Sequence, residues 1–247
     1  MKNTLNDQFK AREREYRSYL PERPLSVLRL DGRAFHTFTK SFERPFDKNF
    51  MSAMDAAAIS VLDNVINSAE FAYVQSDEIS IFFTNTFSTY GELPFNGRID
   101  KILSVSASAS TGGFMKSLPT EAIPMFDARL FTVEDLNELK DYLNWRRLDA
   151  RKNAISMAAE KHYSHKELIG KNTQTRWEMI QSTENATLPD DFMWGRLVTK
   201  EYFNETVEIF NKKTQTSENV VALRSRWVVK PALREDAEKL IEELKKK

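Results

Sequence analysis

The chain predicts an α+β fold: a ferredoxin-like βαββαβ polymerase-type palm with added helices and a C-terminal elaboration. Two stretches and the order of elements between them carry that expectation. The apolar run over 27–30 stops abruptly at Asp31 and Gly32, as a buried strand that delivers a carboxylate at its end. The run YVQSDEISIFF, 73–83, has apolar residues on both sides of a polar turn that holds adjacent carboxylates, Asp77 and Glu78, as in a hairpin with an acidic tip.

Between them, Met51, Met54, Ala58, Val61 and Val65 recur on one helical face, with Asp47 as the expected N-cap. A small-residue helix over about 98–115 and a strand over 125–133 complete the βαββαβ order. A right-handed crossover makes the second strand parallel to the first, and the third slots antiparallel between them. The end of the first strand and the tip of the hairpin then share an edge, so Asp31 and Asp77 face each other. Two carboxylates that close call for a cation. Hard oxygen donors select magnesium over zinc, and two such ions suit phosphoryl or nucleotidyl transfer.

The chain begins with a charged segment, 1–23, marked by Phe9, Tyr16 and Tyr19, read as a helix packed on the outside of the core and ended by Pro21 and Pro24. After Gly32, the backbone amides and the side chains of Arg33 and His36 are placed to meet triphosphate oxygens without a Walker motif. Ser76, beside Asp77, is a further nucleotide contact by position. Thr132 and Asp135 have capping-box spacing ahead of a helix carrying Leu136, Leu139 and Leu143. That helix runs through WRRLDARKN, whose Arg146, Arg147, Arg151 and Lys152 form the densest basic cluster in the chain, a docking site for an RNA backbone together with Asn153. A second capping box, Ser164 with Glu167, precedes another helix after Gly170. Residues 194–202 and 220–229 alternate as strands, and 237–247 reads as an amphipathic helix at an edge or a subunit contact. By domain, 1–135 is the palm with its N-terminal helix, and 136–247 an elaboration packed on it for RNA and oligomer contacts.

Composition sets bounds. Lys plus Arg and Asp plus Glu each number 36 in 247 residues, so any RNA contact uses a local patch and not a whole-protein field. The absence of cysteine excludes disulfides and thiolate zinc sites. Without a long apolar run or a leader pattern, the expectation is a soluble, cytoplasmic protein with no membrane contact.

The segments RLDGRAFHTF, FERPFD, AYVQSDEIS, FDAR and DYLNWRRLDARKN, in that order over about 25–153, resemble the tRNA-His guanylyltransferase superfamily with its Thg1-like relatives, the 3′-to-5′ nucleotide-adding enzymes. The resemblance implies a palm with two Mg2+ ions, GTP or ATP as donor, tRNA as acceptor and a homo-oligomer, dimer or tetramer. It implies that Asp31, Asp77 and the Gly32 carbonyl hold metal, with Asp31, Asp77 and Glu78 catalytic. It places Arg33, Ala34, Phe35 and His36 in the nucleotide-binding segment, Arg44 near the base, and Lys101, with Arg98, toward the triphosphate; Arg129, at the edge of its strand, is read from its own chemistry as a bidentate phosphate contact. Where the eukaryotic enzymes carry His-Ile-Asn-Asn, this chain has Arg151, Lys152, Asn153 and Ala154, which implies the branch that extends truncated tRNA 5′ ends on a template.

The expected activity is thus metal-dependent 3′-to-5′ addition to tRNA, as 5′-end repair or tRNA-His guanylylation. A nucleotidyl cyclase or signalling-nucleotide synthase would use the same palm but yield a small product without RNA. A non-catalytic RNA-binding module would have lost one of the two acids, and both are present.

Overall fold

The computed structural model describes residues 4–86, 92–183, 187–212 and 215–246. Its elements are α1 (Leu5–Glu15), β1 (Leu25–Gly32), α2 (Phe35–Phe38), α3 (Lys48–Asn64), β2 (Ala69–Gln75), β3 (Glu78–Phe83), α4 (Ile99–Ser117), β4 (Phe126–Val133), α5 (Leu136–His162), α6 (His165–Leu168), α7 (Thr173–Gln181), α8 (Asp190–Met193), β5 (Arg196–Asn211), β6 (Thr216–Pro231) and α9 (Arg234–Leu244). The strands form one six-stranded sheet in the order β4-β1-β3-β2-β5-β6. Both β1 and β2 run antiparallel to β3, so they are parallel to each other, and β1–α3–β2–β3–α4–β4 is the expected palm. The register sets Leu30 opposite Ile79 and Asp31 opposite Glu78, which brings the hairpin tip to the end of β1.

Alternation on the strands feeds two cores. On one face Leu28, Leu30, Ile79, Ile81 and Phe83 pack under α3 and α4, with Met54, Ala57, Val61, Ile102 and Phe114. The small residues of α4 permit this approach: a Cβ on Gly113 would stand 2.7 Å from the Ala56 carbonyl oxygen of α3. Asp47 caps α3 as expected, with Oδ1 accepting from the Asn49 and Phe50 amides at 2.9 and 3.0 Å. On the other face Val27, Phe71, Tyr73 and Phe82 pack under α5 and α9.

Within 136–247, β5 pairs with β2 from Phe71–Thr199 to Val74–Arg196 and so extends the palm sheet. Helix α9 lies in the second core through Ala237, Ile241 and Leu244, not at a free edge. Helix α5 is capped by Asp135 itself, whose Oδ1 accepts from the Asn137 and Glu138 amides. Thr132 is not the cap, because it is still paired with Ser26 in the β1–β4 ladder. The Ser164–Glu167 capping box is present.

Two further expectations fail for one reason, the absence of a covering surface. Helix α1 starts at a Thr4 capping box but buries no residue, leaving Leu5 and Phe9 exposed. The segment after it attaches to the body, with the Leu20 amide on the Gly97 carbonyl at 2.9 Å and Ile99 on Ser18 at 3.0 Å. The last two strands are 16 residues each, far longer than alternation suggests. Beyond the palm they form a two-stranded ribbon solvated on both faces, where nothing imposes alternation.

The root of that ribbon depends on Gly195, which has φ +74° and on which a Cβ would enter the Tyr73 ring. Tyr73 donates from its hydroxyl to the Trp194 carbonyl at 2.9 Å. Gly195→Ala is expected to cost about 2 kcal/mol from left-handed strain and overpacking together, read as a lower urea midpoint; an unchanged midpoint would show that the turn is not held this way.

Candidate functional site

The pleat sets Asp127, Asp31 and Glu78 as direct neighbours on β4, β1 and β3, hence on one face at one end of the sheet. The β2–β3 turn adds Asp77. Ser76 holds a left-handed φ of 43°, and the Gly32 amide donates to the Asp77 carbonyl at 3.0 Å, tying the turn to the end of β1. Burial pushes the Asp77 carboxyl above the usual range, and the Asp31 charge adds to the rise. The two acids therefore sense each other as the topology requires.

Among the described residues, no group of three or more His, Asp or Glu side chains is arranged to hold a metal. A cation between Asp31 and Asp77 would rely on two carboxylates, backbone oxygen and substrate oxygens. That all-oxygen, carboxylate-poor set fits magnesium, which commonly keeps waters and substrate phosphates in its shell.

Glu78 is not a free ligand. Arg146 on α5 grips it at both oxygens, Nε to Oε1 and Nη2 to Oε2, each at 2.8 Å, and also reaches Asp149 Oδ2 at 3.0 Å. Arg29 stands 4.0 Å away. Burial still raises the Glu78 carboxyl, against the pull of Arg146 and Arg29. Glu78 thus braces the acidic end of the sheet from behind.

The same contacts turn two residues of the expected RNA-binding cluster inward. Arg146 is buried against Glu78; Arg147 is buried with Nε donating to the Ala232 carbonyl at 2.7 Å. Arg147 and Arg151 both lie over the Trp194 ring, 5.4 and 5.7 Å from its centroid. Lys152 is exposed, and Asn153 donates to Asp149 at 3.3 Å. A helix can turn arginines inward wherever a buried acid or carbonyl receives them, and no local pattern announces such partners.

The loop after β1 is pinned by Phe35. Its ring packs 4.9 to 6.1 Å from Phe38, Phe50, Phe114 and Phe126, and it occupies the space a Cβ on Gly32 would need. Ala34 is left-handed at φ 57°, a strained conformation for a non-glycine residue in a loop that carries candidate ligands. Arg33, Ala34 and His36 are exposed.

Beside this loop lies a pocket of about 260 Å3. Phe35, His36, Arg44, Ser76, Asp77 and Asn153 line it, so six of the nominated residues meet there from four segments of the chain. Phe46, Gln75, Met157, Phe192 and Arg196 also line it and carry no local signal; Arg196 reaches its partner Asp55, 2.7 Å away, across 141 residues of chain. Phe46 and Phe192 stack at 5.0 Å between centroids.

Three nominated cations stand outside the pocket wall. Lys101 is exposed with Nζ 5.8 Å over the Phe95 ring, Arg129 pairs with Asp127 at 3.2 Å, and Arg98 is engaged by Asp100.

A family model described as tRNAHis guanylyltransferase (Thg1) matches residues 7–134. Among solved structures, a bacterial tRNA(His) guanylyltransferase (Thg1)-like protein in complex with ATP superposes with a TM-score of 0.79 at 30% identity, over 97% of this chain and 98% of that one. A GTP complex of such a bacterial protein gives 0.75 at 31% identity, over 96% and 98%. The tRNA(His) guanylyltransferase of Saccharomyces cerevisiae is 28% identical over 70% of this chain and 81% of its own. With half of the sequence under the family model and nearly the whole fold under two nucleotide-bound relatives, the chain belongs to the tRNAHis guanylyltransferase (Thg1) family of nucleotidyltransferases.

Proposed function

We propose that the chain adds nucleotides to the 5′ end of tRNA in the 3′-to-5′ direction, with GTP or ATP as nucleoside triphosphate. The observation that carries the reading is that the turn bearing Asp77 is hydrogen-bonded to Gly32, next to Asp31, beside a pocket whose lining includes Asp77, His36, Arg44 and Ser76. Two magnesium ions held by Asp31, Asp77 and the Gly32 carbonyl would supply Lewis acidity toward the phosphate oxygens.

The remaining work falls to the chain. The pocket holds the nucleotide with its triphosphate toward the loop, where the amides after Gly32 and the side chains of Arg33, His36 and Ser76 meet phosphate oxygens. The 3′-hydroxyl attacks the activated 5′ phosphorus of the RNA. A new P–O bond forms, the hydroxyl proton passes to solvent, and pyrophosphate leaves a triphosphate end or AMP an adenylylated one. Lys101 and Arg129, outside the pocket, serve phosphates of the second substrate. Of the basic helix, Arg151, Lys152 and Asn153 stay outside the buried pair and serve the RNA backbone. The apolar residues exposed on the ribbon, Val221 and Leu223 among them, support a homo-oligomeric enzyme.

The test is to offer 5′-truncated and intact tRNA with each labelled triphosphate singly in Mg2+, and to read the 5′ ends. The expected result is label joined to the 5′ end with release of pyrophosphate. A new small nucleotide formed without RNA would reassign the site to a cyclase or synthase, and no incorporation with any tRNA would overturn the reading.

A further inference from the structure

Beside the arginine that grips Glu78 stands a tryptophan turned to solvent. Of the chain's four tryptophans, all within the described residues, Trp145 alone is exposed, at 54%. It is nonetheless held in place. The Arg146 guanidinium lies 4.5 Å from the centroid of its ring, and the Tyr142 ring meets it edge-on at 5.9 Å. Both supports are themselves fixed, Arg146 by the two Glu78 oxygens and Tyr142 by a 2.7 Å hydrogen bond between its hydroxyl and that of Ser80. A surface that is ordered in advance loses little freedom when a ligand lands on it.

The ring belongs to a row. Tyr142 also meets Phe131 of β4 edge-on at 5.4 Å, and Phe131 is itself 36% exposed. Arg129 stands two residues earlier on the same face of β4, half-exposed. At the other end, the exposed Lys152 lies two helical turns beyond Trp145 on the same flank of α5, about 10 Å along the axis. Asp149 shares that flank but is engaged by Arg146 at 3.0 Å and Asn153 at 3.3 Å. Arg147 and Arg151, over Trp194, occupy the opposite flank. An aromatic row with a cation at each end complements a nucleic acid, whose bases stack on the rings while its phosphates meet the charges.

We infer that Trp145 is the stacking platform for the terminal base at the RNA 5′ end. The inference rests on the proposed 5′-end addition and specifies how its second substrate is placed. The ring is one ion pair from the acids: Arg146 bonds Glu78, which is paired in register with Asp31 and directly follows Asp77. The pocket that takes the incoming nucleoside is lined on α5 by Ala150, Asn153, Ala154 and Met157, and Trp145 is not in its wall. With the incoming base held there, the outer face of the RNA's own last base is left for the protein to cover. The indole covers that face, Arg129 and Lys152 meet phosphates on either side, and the 5′ phosphorus is set between Asp31 and Asp77. Stacking reads no base edge, so the platform accepts RNA ends of any sequence.

The test compares addition to a 5′-truncated tRNA with addition to the same tRNA carrying an abasic first nucleotide, using the full chain in Mg2+. Trp145→Ala is expected to lower kcat/KM for the ordinary RNA about tenfold, mostly through KM, with triphosphate binding and melting unchanged because the ring is exposed. Trp145→Phe restores most of the loss, and the quenching of tryptophan emission by bound RNA is weaker in it than in wild type. The abasic RNA is slowed about tenfold in wild type and no further in Trp145→Ala, since base and ring are two halves of one contact. That pattern separates stacking from a structural role. Trp145→Leu, apolar and unable to stack, serves if the alanine variant does not fold. Equal losses on ordinary and abasic RNA, or full activity without the ring, overturn the inference alone. A lighter species of Trp145→Ala on size exclusion assigns the ring to a contact between copies and overturns it likewise. No addition to any RNA by wild type overturns the 5′-end reading itself.

Discussion

Asp77→Asn is expected to abolish nucleotide incorporation, by about 10^3-fold or more, while making the nucleotide-free protein more resistant to heat at neutral pH. The two effects share one cause. Asp77 is a buried carboxylate near Asp31, and its carboxyl is pushed above the usual carboxylate range first by burial and then by that neighbouring charge. The folded state therefore holds the Asp77 proton more tightly than the unfolded chain does. Its contribution to stability is fully present below the unfolded value and is lost as pH rises through the folded one. At pH 7 the ionised group is a liability in the apo protein, which asparagine removes. The gain is read as a melting point higher by roughly 2 °C, about 1 kcal/mol for a chain of this size, and it shrinks as the pH is lowered toward 4. Magnesium reverses the ranking: it raises the melting point of the wild type by binding the folded state and has little effect on the variant. Near-normal incorporation by Asp77→Asn, or a wild type whose melting is indifferent to magnesium, would remove the basis for the proposed chemistry.

Arg146→Met is expected to lower stability by about 3–5 kcal/mol, the cost of leaving a buried carboxylate without its cation. The side chains of Arg146 and Glu78 are both only 9% exposed, so solvent screening does not soften the loss. Urea unfolding measures it. The double variant Arg146→Met, Glu78→Met recovers most of the loss, since two apolar side chains replace the pair without stranding a charge. Incorporation falls in the single variant because Glu78 is paired in register with Asp31 and directly follows Asp77. If the single variant unfolds like wild type, the pair does not brace the site.

Composition and period were enough to arrive at the palm. A strand that ends in Asp31, a helix capped by Asp47 and a hairpin tipped by Asp77 are each written in a few consecutive residues. The handedness of the crossover then leaves one arrangement for the acids. Expectations failed where a residue's partner lies far along the chain. Arg146 looks like a surface cation until Glu78, 68 residues away, is set beneath it. Thr132 has the spacing of a cap until the β4 ladder claims its backbone.

From the amino-acid order alone come the fold class, the two acids and the loop after Gly32, because apolar periodicity and backbone conformation are set by neighbours within a turn or two. The pocket behind Asp77, the inward arginines, the outward ring of Trp145 and the reach of the ribbon were decided only in three dimensions. Burial and pairing are properties of what packs against a residue, and a linear pattern says which faces are apolar without saying which face meets which.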